Sequence, residues 1–173
     1  MAFRRYLSAL SLFICAPVLA AELSISVEIP KLDVAEYHRP YVAVWLERDG
    51  AHAANLAVWY QLERNGQGAE KGEEWLKDMR QWWRRSGRNL DMPVDGISGA
   101  TKAPGVHTLT FTPGKGVLAD LPAGEYQLLV EAAREVGGRE VLKVPFQWPP
   151  QKEESHSAKG SSELGTLNLQ LIP

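Results

Sequence analysis

The chain has 173 residues, with 19 Lys and Arg against 21 Asp and Glu, four His and one Cys. That length holds one domain. The slightly acidic balance excludes nucleic-acid binding and an electrostatic hold on anionic lipid, and a lone cysteine excludes a disulfide framework.

Arg4 and Arg5 precede an apolar run from Leu7 to Ala16, and Val18-Leu19-Ala20 fits a small-residue cleavage site. This is the pattern of a secretory signal peptide over residues 1–20, too short for a stable membrane span. Cys15 lies inside the apolar run after Ile14, which is not the small residue a lipoprotein signal wants. Cleavage after Ala20 leaves 17 basic and 21 acidic residues, a net charge of about −4, and no thiol. No later apolar stretch approaches membrane length, so a periplasmic product with no direct membrane insertion is expected.

From residue 23 the pattern alternates. Leu23, Ile25, Val27 and Ile29 share one face of a half-buried strand that Pro30 ends. Tyr41 to Glu47 forms a second strand. Asn55 to Leu62 forms a third, with Leu56, Val58, Tyr60 and Leu62 on one face, and the Asp49-Gly50 turn makes the pair a hairpin. A polar, glycine-spaced loop from Glu63 to Gly72 follows. Glu73 to Ser86 has helical spacing that aligns Trp75, Leu76, Met79, Trp82 and Trp83 along one side, and Gly87 is a stop.

Beyond residue 105 alternation returns. Leu109 and Phe111 lie in a strand over 106–112, and Tyr126, Leu128 and Val130 in another. Leu142 to Trp148 forms a further strand, where Pro145 implies an edge or a bulge. Pro149 to Ser162 is polar and reads as a flexible loop, and Leu167, Leu169 and Leu171 mark a last strand. Leu121-Pro122-Ala123-Gly124-Glu125-Tyr126 resembles a tyrosine corner. About seven short strands and one helix predict an all-β chain. The expected architecture is an immunoglobulin-like antiparallel β-sandwich over 21–173, with a Trp-rich helical insertion at 73–86 and a motif loop at 87–105.

The stretch Asp95-Gly96-Ile97-Ser98-Gly99-Ala100-Thr101-Lys102 is small, glycine-rich and hydroxyl-bearing. Its small residues let another molecule's surface approach the backbone. On its residues alone it also fits an ordinary glycine-rich turn between a helix and a strand. It resembles the flavinylation motif of covalent FMN proteins: Asp, two free positions, Ser or Thr, Gly, Ala, then Thr or Ser. The resemblance implies FMN joined to Thr101 as a phosphoester by an FAD:protein FMN transferase. A threonine hydroxyl is a poor nucleophile, so its activation falls to the transferase. Asp95 would serve recognition or metal positioning, and Ser98, Gly99, Ala100 and Lys102 would complete the site.

A wider resemblance rests on Arg39 to Trp45, the Trp-rich helix, Asp95 to Gly105, and Glu131-Ala132-Ala133-Arg134-Glu135. These are similar to a family of small predicted periplasmic proteins bearing a domain of unknown function. The family is associated with PepSY-type membrane proteins and flavin transferases. Its members often carry a Trp-Asp-Gly turn where this chain has Phe111-Thr112-Pro113-Gly114.

The remaining residues carry weaker signals. His38, His52, His107 and His156 show no metal-ligand spacing. Ser98 sits in Gly-Ile-Ser-Gly, which is not a nucleophile elbow, and Asp91 and Asp95 lack EF-hand spacing. Trp83 lies about 100° round the helix from Trp82, which leaves one indole near the motif for an isoalloxazine ring to stack on; core packing is the bland reading of the same tryptophans. Arg84, Arg85 and Arg88 read as a solvated helix end, with an FMN phosphate as the alternative partner for one of them. Glu131, Arg134 and Glu135 read as surface ion pairing. Two functions stay open: an electron-transfer flavoprotein carrying FMN on Thr101 and working with a PepSY-type membrane redox partner, and a cofactor-free immunoglobulin-like binding or adaptor protein. An enzyme with an unrecognised site is a third.

Overall fold

The computed structural model describes residues 21–62, 70–112, 115–119 and 121–173. The signal-peptide reading, most of the loop from Glu63 to Gly72 and the Pro113-Gly114 turn lie outside them. Among the described residues, nine strands form two sheets. They are β1 (Glu22–Ile29), β2 (Tyr41–Arg48), β3 (Ala51–Tyr60), β4 (Ser98–Ala100), β5 (Gly105–Phe111), β6 (Gly124–Ala133), β7 (Arg139–Trp148), β8 (Glu154–Lys159) and β9 (Thr166–Ile172). One sheet runs β5-β1-β9-β8 and the other β4-β3-β2-β6-β7. Every pair is antiparallel except β3 with β4, which run parallel.

The sandwich core follows from period-2 burial. Leu23, Ile25, Val27 and Ile29 of β1 face Val42, Val44, Leu46, Leu128 and Val130 across the interior. The β2–β3 hairpin turns at Asp49-Gly50 with φ of 52° and 74°, the doubly positive pattern that matches strand twist. The tyrosine corner is present: the Tyr126 hydroxyl donates to the Pro122 carbonyl at 2.7 Å. Pro145 lies in β7, an edge strand, where its missing N–H costs no ladder bond.

Three expectations need correction. The segment read as a flexible loop at 149–162 contains β8, which pairs with β9 along its whole length. Its alternation is carried by Glu154, His156 and Ala158, residues too polar to register as a buried face. The motif stretch is likewise not an open loop, because Ser98 to Ala100 forms β4 at the edge of the five-stranded sheet. Both additions raise the strand number from about seven to nine.

The third correction concerns the helix. Residues 73–86 do not form one continuous rod. They divide into the end of α1 (Glu70–Glu73), a 3₁₀ turn at Leu76–Asp78 and α2 (Arg80–Arg85), with a further 3₁₀ turn at Gly87–Asn89. The break between turns lets Leu76, Met79 and Trp82 all reach the sheet, while Trp75 points out and is 52% exposed. These three cover the outer face of the five-stranded sheet over Ala43, Trp45, Val58, Tyr60 and Leu129. Val58 is therefore buried beneath the helical segment, not in the sandwich interior with Leu56.

Buried polar groups pin this segment. Glu131 is fully buried, and its carboxylate accepts the N–H groups of Gln81 at 3.1 Å and Trp82 at 2.7 Å. These are donors that the first turn of α2 cannot satisfy itself. Arg139 Nη1 reaches the same carboxylate at 2.8 Å. Trp82 Nε1 donates to Asn55 Oδ1 at 2.9 Å, and Asn55 Nδ2 donates to Ser86 Oγ at 2.7 Å. Surface pairing among Glu131, Arg134 and Glu135 is thus replaced by two separate buried arrangements: Glu131 with Arg139, and Arg134 with Glu163 at 2.8 Å.

Candidate functional site

The motif begins with a tight turn at Val94–Ile97, where Gly96 takes φ of 80°. That conformation is strained for any side chain at the second central position. The turn is closed from within. Ser98 N–H donates to the Val94 carbonyl at 3.0 Å, and Val94 N–H donates to Ser98 Oγ at 2.8 Å. Asp95 stands exposed at the tip. Ser98 is thus a turn-locking residue, with its hydroxyl oxygen already engaged.

β4 then runs beside β3, with Ser98, Gly99 and Ala100 opposite Val58, Trp59 and Tyr60. Gly99 eases the close approach of the two strands, because a Cβ there would lie 3.3 Å from the Trp59 ring, a tight contact. Val58 N–H donates to the Ile97 carbonyl at 2.7 Å, and Thr101 N–H donates to the Tyr60 carbonyl at 3.1 Å. The backbone is therefore fixed on both sides of the small residues, and Thr101 is held at the point where the strand ends.

Side chains leave this point in two directions. Lys102 turns back, its Nζ 5.4 Å from the centroid of the Trp59 ring, a cation–π contact over a buried indole. Trp59 also meets His107 edge-on at 5.8 Å. Thr101, half-buried, lines a groove of about 1150 Å³ together with Tyr37, Tyr41, Trp75, Arg134 and Val136. That volume lies just above the range of about 300–1,000 Å³ usual for small-molecule sites, and so has room for a cofactor-sized molecule. Burial raises the hydroxyl pKa of Tyr37 and of Tyr41, so both stay protonated donors at neutral pH. Burial also raises that of Tyr60, helped by the Glu73 carboxylate and opposed by the Ser98 hydroxyl.

The sequence-derived site residues are therefore divided. Asp95, Ser98, Gly99, Ala100, Thr101 and Lys102 form one continuous turn and strand. Trp83 is partly buried against the second core with Met92 and Ile97, and it does not line the groove. The indole on the groove is Trp75. Helical periodicity placed Trp75 on the buried side because it assumed an unbroken helix. Arg85 Nε pairs with the buried Glu47 carboxylate of β2 at 3.3 Å. Among the described residues no cluster of His, Cys, Asp or Glu suited to a metal occurs.

A family model described as predicted periplasmic protein (DUF2271) matches residues 22–166. The chain belongs to that family. The match covers β1 to β8, the helical segment and the whole motif, and ends where β9 begins. No curated protein and no solved structure matches the chain.

Proposed function

We propose that this protein is a periplasmic electron-transfer module that carries FMN covalently on Thr101. The observation that carries the reading is the placement of Thr101. It closes a complete Asp-x-x-Ser-Gly-Ala-Thr stretch, its backbone is tied to Tyr60, and its side chain lies on a groove large enough for a flavin.

Loading is a phosphoryl-group transfer from FAD. Thr101 Oγ1 attacks the phosphorus on the FMN side of the pyrophosphate. The Oγ1–P bond forms as the P–O bond to AMP breaks, AMP leaves, and the hydroxyl proton passes to a base of the FAD:protein FMN transferase. The exposed Asp95 is free to meet that enzyme or its metal ion. The residues fit the group: Ala100 and Gly99 add no bulk beside Thr101, and the groove supplies aromatic side chains and polar donors. Bound there, FMN would supply the redox chemistry, and the chain would supply attachment, orientation and shielding from water. A PepSY-type membrane redox protein is the proposed electron partner, and removal of residues 1–20 by signal peptidase is the proposed route to the periplasm.

Co-expression with an active flavin transferase and flavin fluorescence in a denaturing gel, where no folded neighbour can quench the ring, test this. Wild type and Thr101→Ser should fluoresce and Thr101→Ala should not, with the fold unchanged because a rim hydroxyl contributes little to stability. A dark wild type beside a loaded control protein would leave the cofactor-free adaptor reading in its place.

A further inference from the structure

Beyond the attachment point, three features of the groove stand out. The first is Val136. It lies in the β6–β7 connection, where Gly137 N–H donates to the Arg134 carbonyl at 3.0 Å and closes a four-residue turn. Val136 is the second central residue of that turn and has φ of 53°. A β-branched residue is strained there, and the position ordinarily takes glycine. Its side chain is 75% exposed on the groove. The chain therefore holds a strained backbone in order to present an apolar group to solvent, with Gly137 only one residue further on. Strain of this kind concentrates at binding sites.

The second feature is the opposite pair of polar atoms. Arg134 has a side chain only 6% exposed. Its Nε and Nη2 donate to Glu163, at 2.8 Å and 3.2 Å. Its Nη1 and the Tyr37 hydroxyl, both buried, find no hydrogen-bond partner among the described residues. Buried donors left unpaired cost stability and call for a partner. Both residues line the groove. The third feature is Trp75, a large indole 52% exposed on the same groove, with Lys77 Nζ 5.5 Å from its ring centroid. One site thus presents two apolar surfaces and two unpaired donors, with Thr101 at its rim.

We infer that the groove is the berth of the isoalloxazine ring, with Trp75 and Val136 as its apolar walls and the Tyr37 hydroxyl and Arg134 Nη1 as donors to its heteroatoms. The inference rests on FMN attachment at Thr101. A planar, largely apolar ring with a polar carbonyl edge meets each of the three features, whereas a simple anion would leave Trp75 and Val136 unexplained. Folding the ring into the groove shields it from solvent.

The test uses the full chain loaded by a transferase. Loading is first confirmed by mass, and flavin fluorescence and its quenching by iodide are then measured. An indole stacked on flavin quenches its emission, so wild type should be dim and protected from iodide. Trp75→Ala should raise emission several-fold at unchanged loading. Val136→Gly, which relieves the backbone and endangers no fold, should increase iodide access. Tyr37→Phe removes only the unpaired hydroxyl and should shift the flavin absorption band. Val106→Ser, at an exposed apolar residue off the groove, should change nothing. A loaded wild type as bright and as accessible as a flavinylated motif peptide would overturn the berth and leave the attachment standing. A wild type that cannot be loaded would overturn both.

Discussion

At Val136 the cost of a single residue is open to direct measurement. Val136→Gly removes a left-handed valine from the turn, where the strain is worth about 1–3 kcal/mol, against roughly 0.5–1 kcal/mol for glycine's extra freedom in the unfolded chain. Denaturant unfolding should therefore show a net gain of about 1 kcal/mol in the unloaded protein, and a loss would mean that Val136 is held by packing. Asp95→Ala should lower flavin loading without changing the melting temperature, because the carboxylate is exposed; loading at the wild-type rate would remove Asp95 from the site. At this scale the 95–102 stretch was visible as a run of adjacent residues, and the fold holds it as one turn and strand. The groove was not, because Tyr37, Trp75, Thr101, Arg134 and Val136 meet only through folding. The one local hint was a valine where a turn wants glycine.

Among the elements, the helical segment depends most on a single distant side chain. Glu131→Ala would strip the acceptor from Gln81 N–H, Trp82 N–H and Arg139, leaving buried donors unpaired at a cost of about 2–3 kcal/mol. Glu131→Gln keeps an acceptor and should cost about 1 kcal/mol. Hydrogen exchange over Leu76–Arg85 should speed up in the alanine variant ahead of exchange in the strands; uniform acceleration would contradict the assignment. A second carboxylate fixes the turn into β9. Burial pushes Glu140 up, but N–H donors from Ser161, Leu164 and Ser162 outweigh it and bring its pKa from 4.5 down to about 2. A depressed carboxylate contributes stability that is fully present above its unfolded value and is lost as pH falls from about 4.5 through about 2. Glu140→Gln should flatten the stability profile across that window, and an unchanged acid limb would contradict this role. Neither the break in the helix nor β8 was legible, since both depend on partners from other elements: Glu131 caps α2, and β9 gives a polar hexapeptide its ladder.

Across the whole molecule, the sandwich was legible from alternation alone, as β1 and β9 show in Leu23 through Ile29 and Leu167 through Leu171. Val130 sits at the centre of that interior with no exposure. Val130→Ala should cost about 1–3 kcal/mol, readable as a melting temperature lower by several degrees, and a change within error would place the strand face wrongly. What the alternation does not encode is the purpose of the sandwich. The strands hold a hydroxyl at the end of β4 beside a groove on the outer, helical side of the five-stranded sheet, and the account turns on what that hydroxyl carries. Intact and peptide mass of the protein recovered from a periplasm that contains an active flavin transferase decides it most directly. The peptide containing Thr101 should gain one FMN less one water, a gain absent from Thr101→Ala. An unmodified Thr101 peptide, recovered beside a fully loaded control protein, would contradict it.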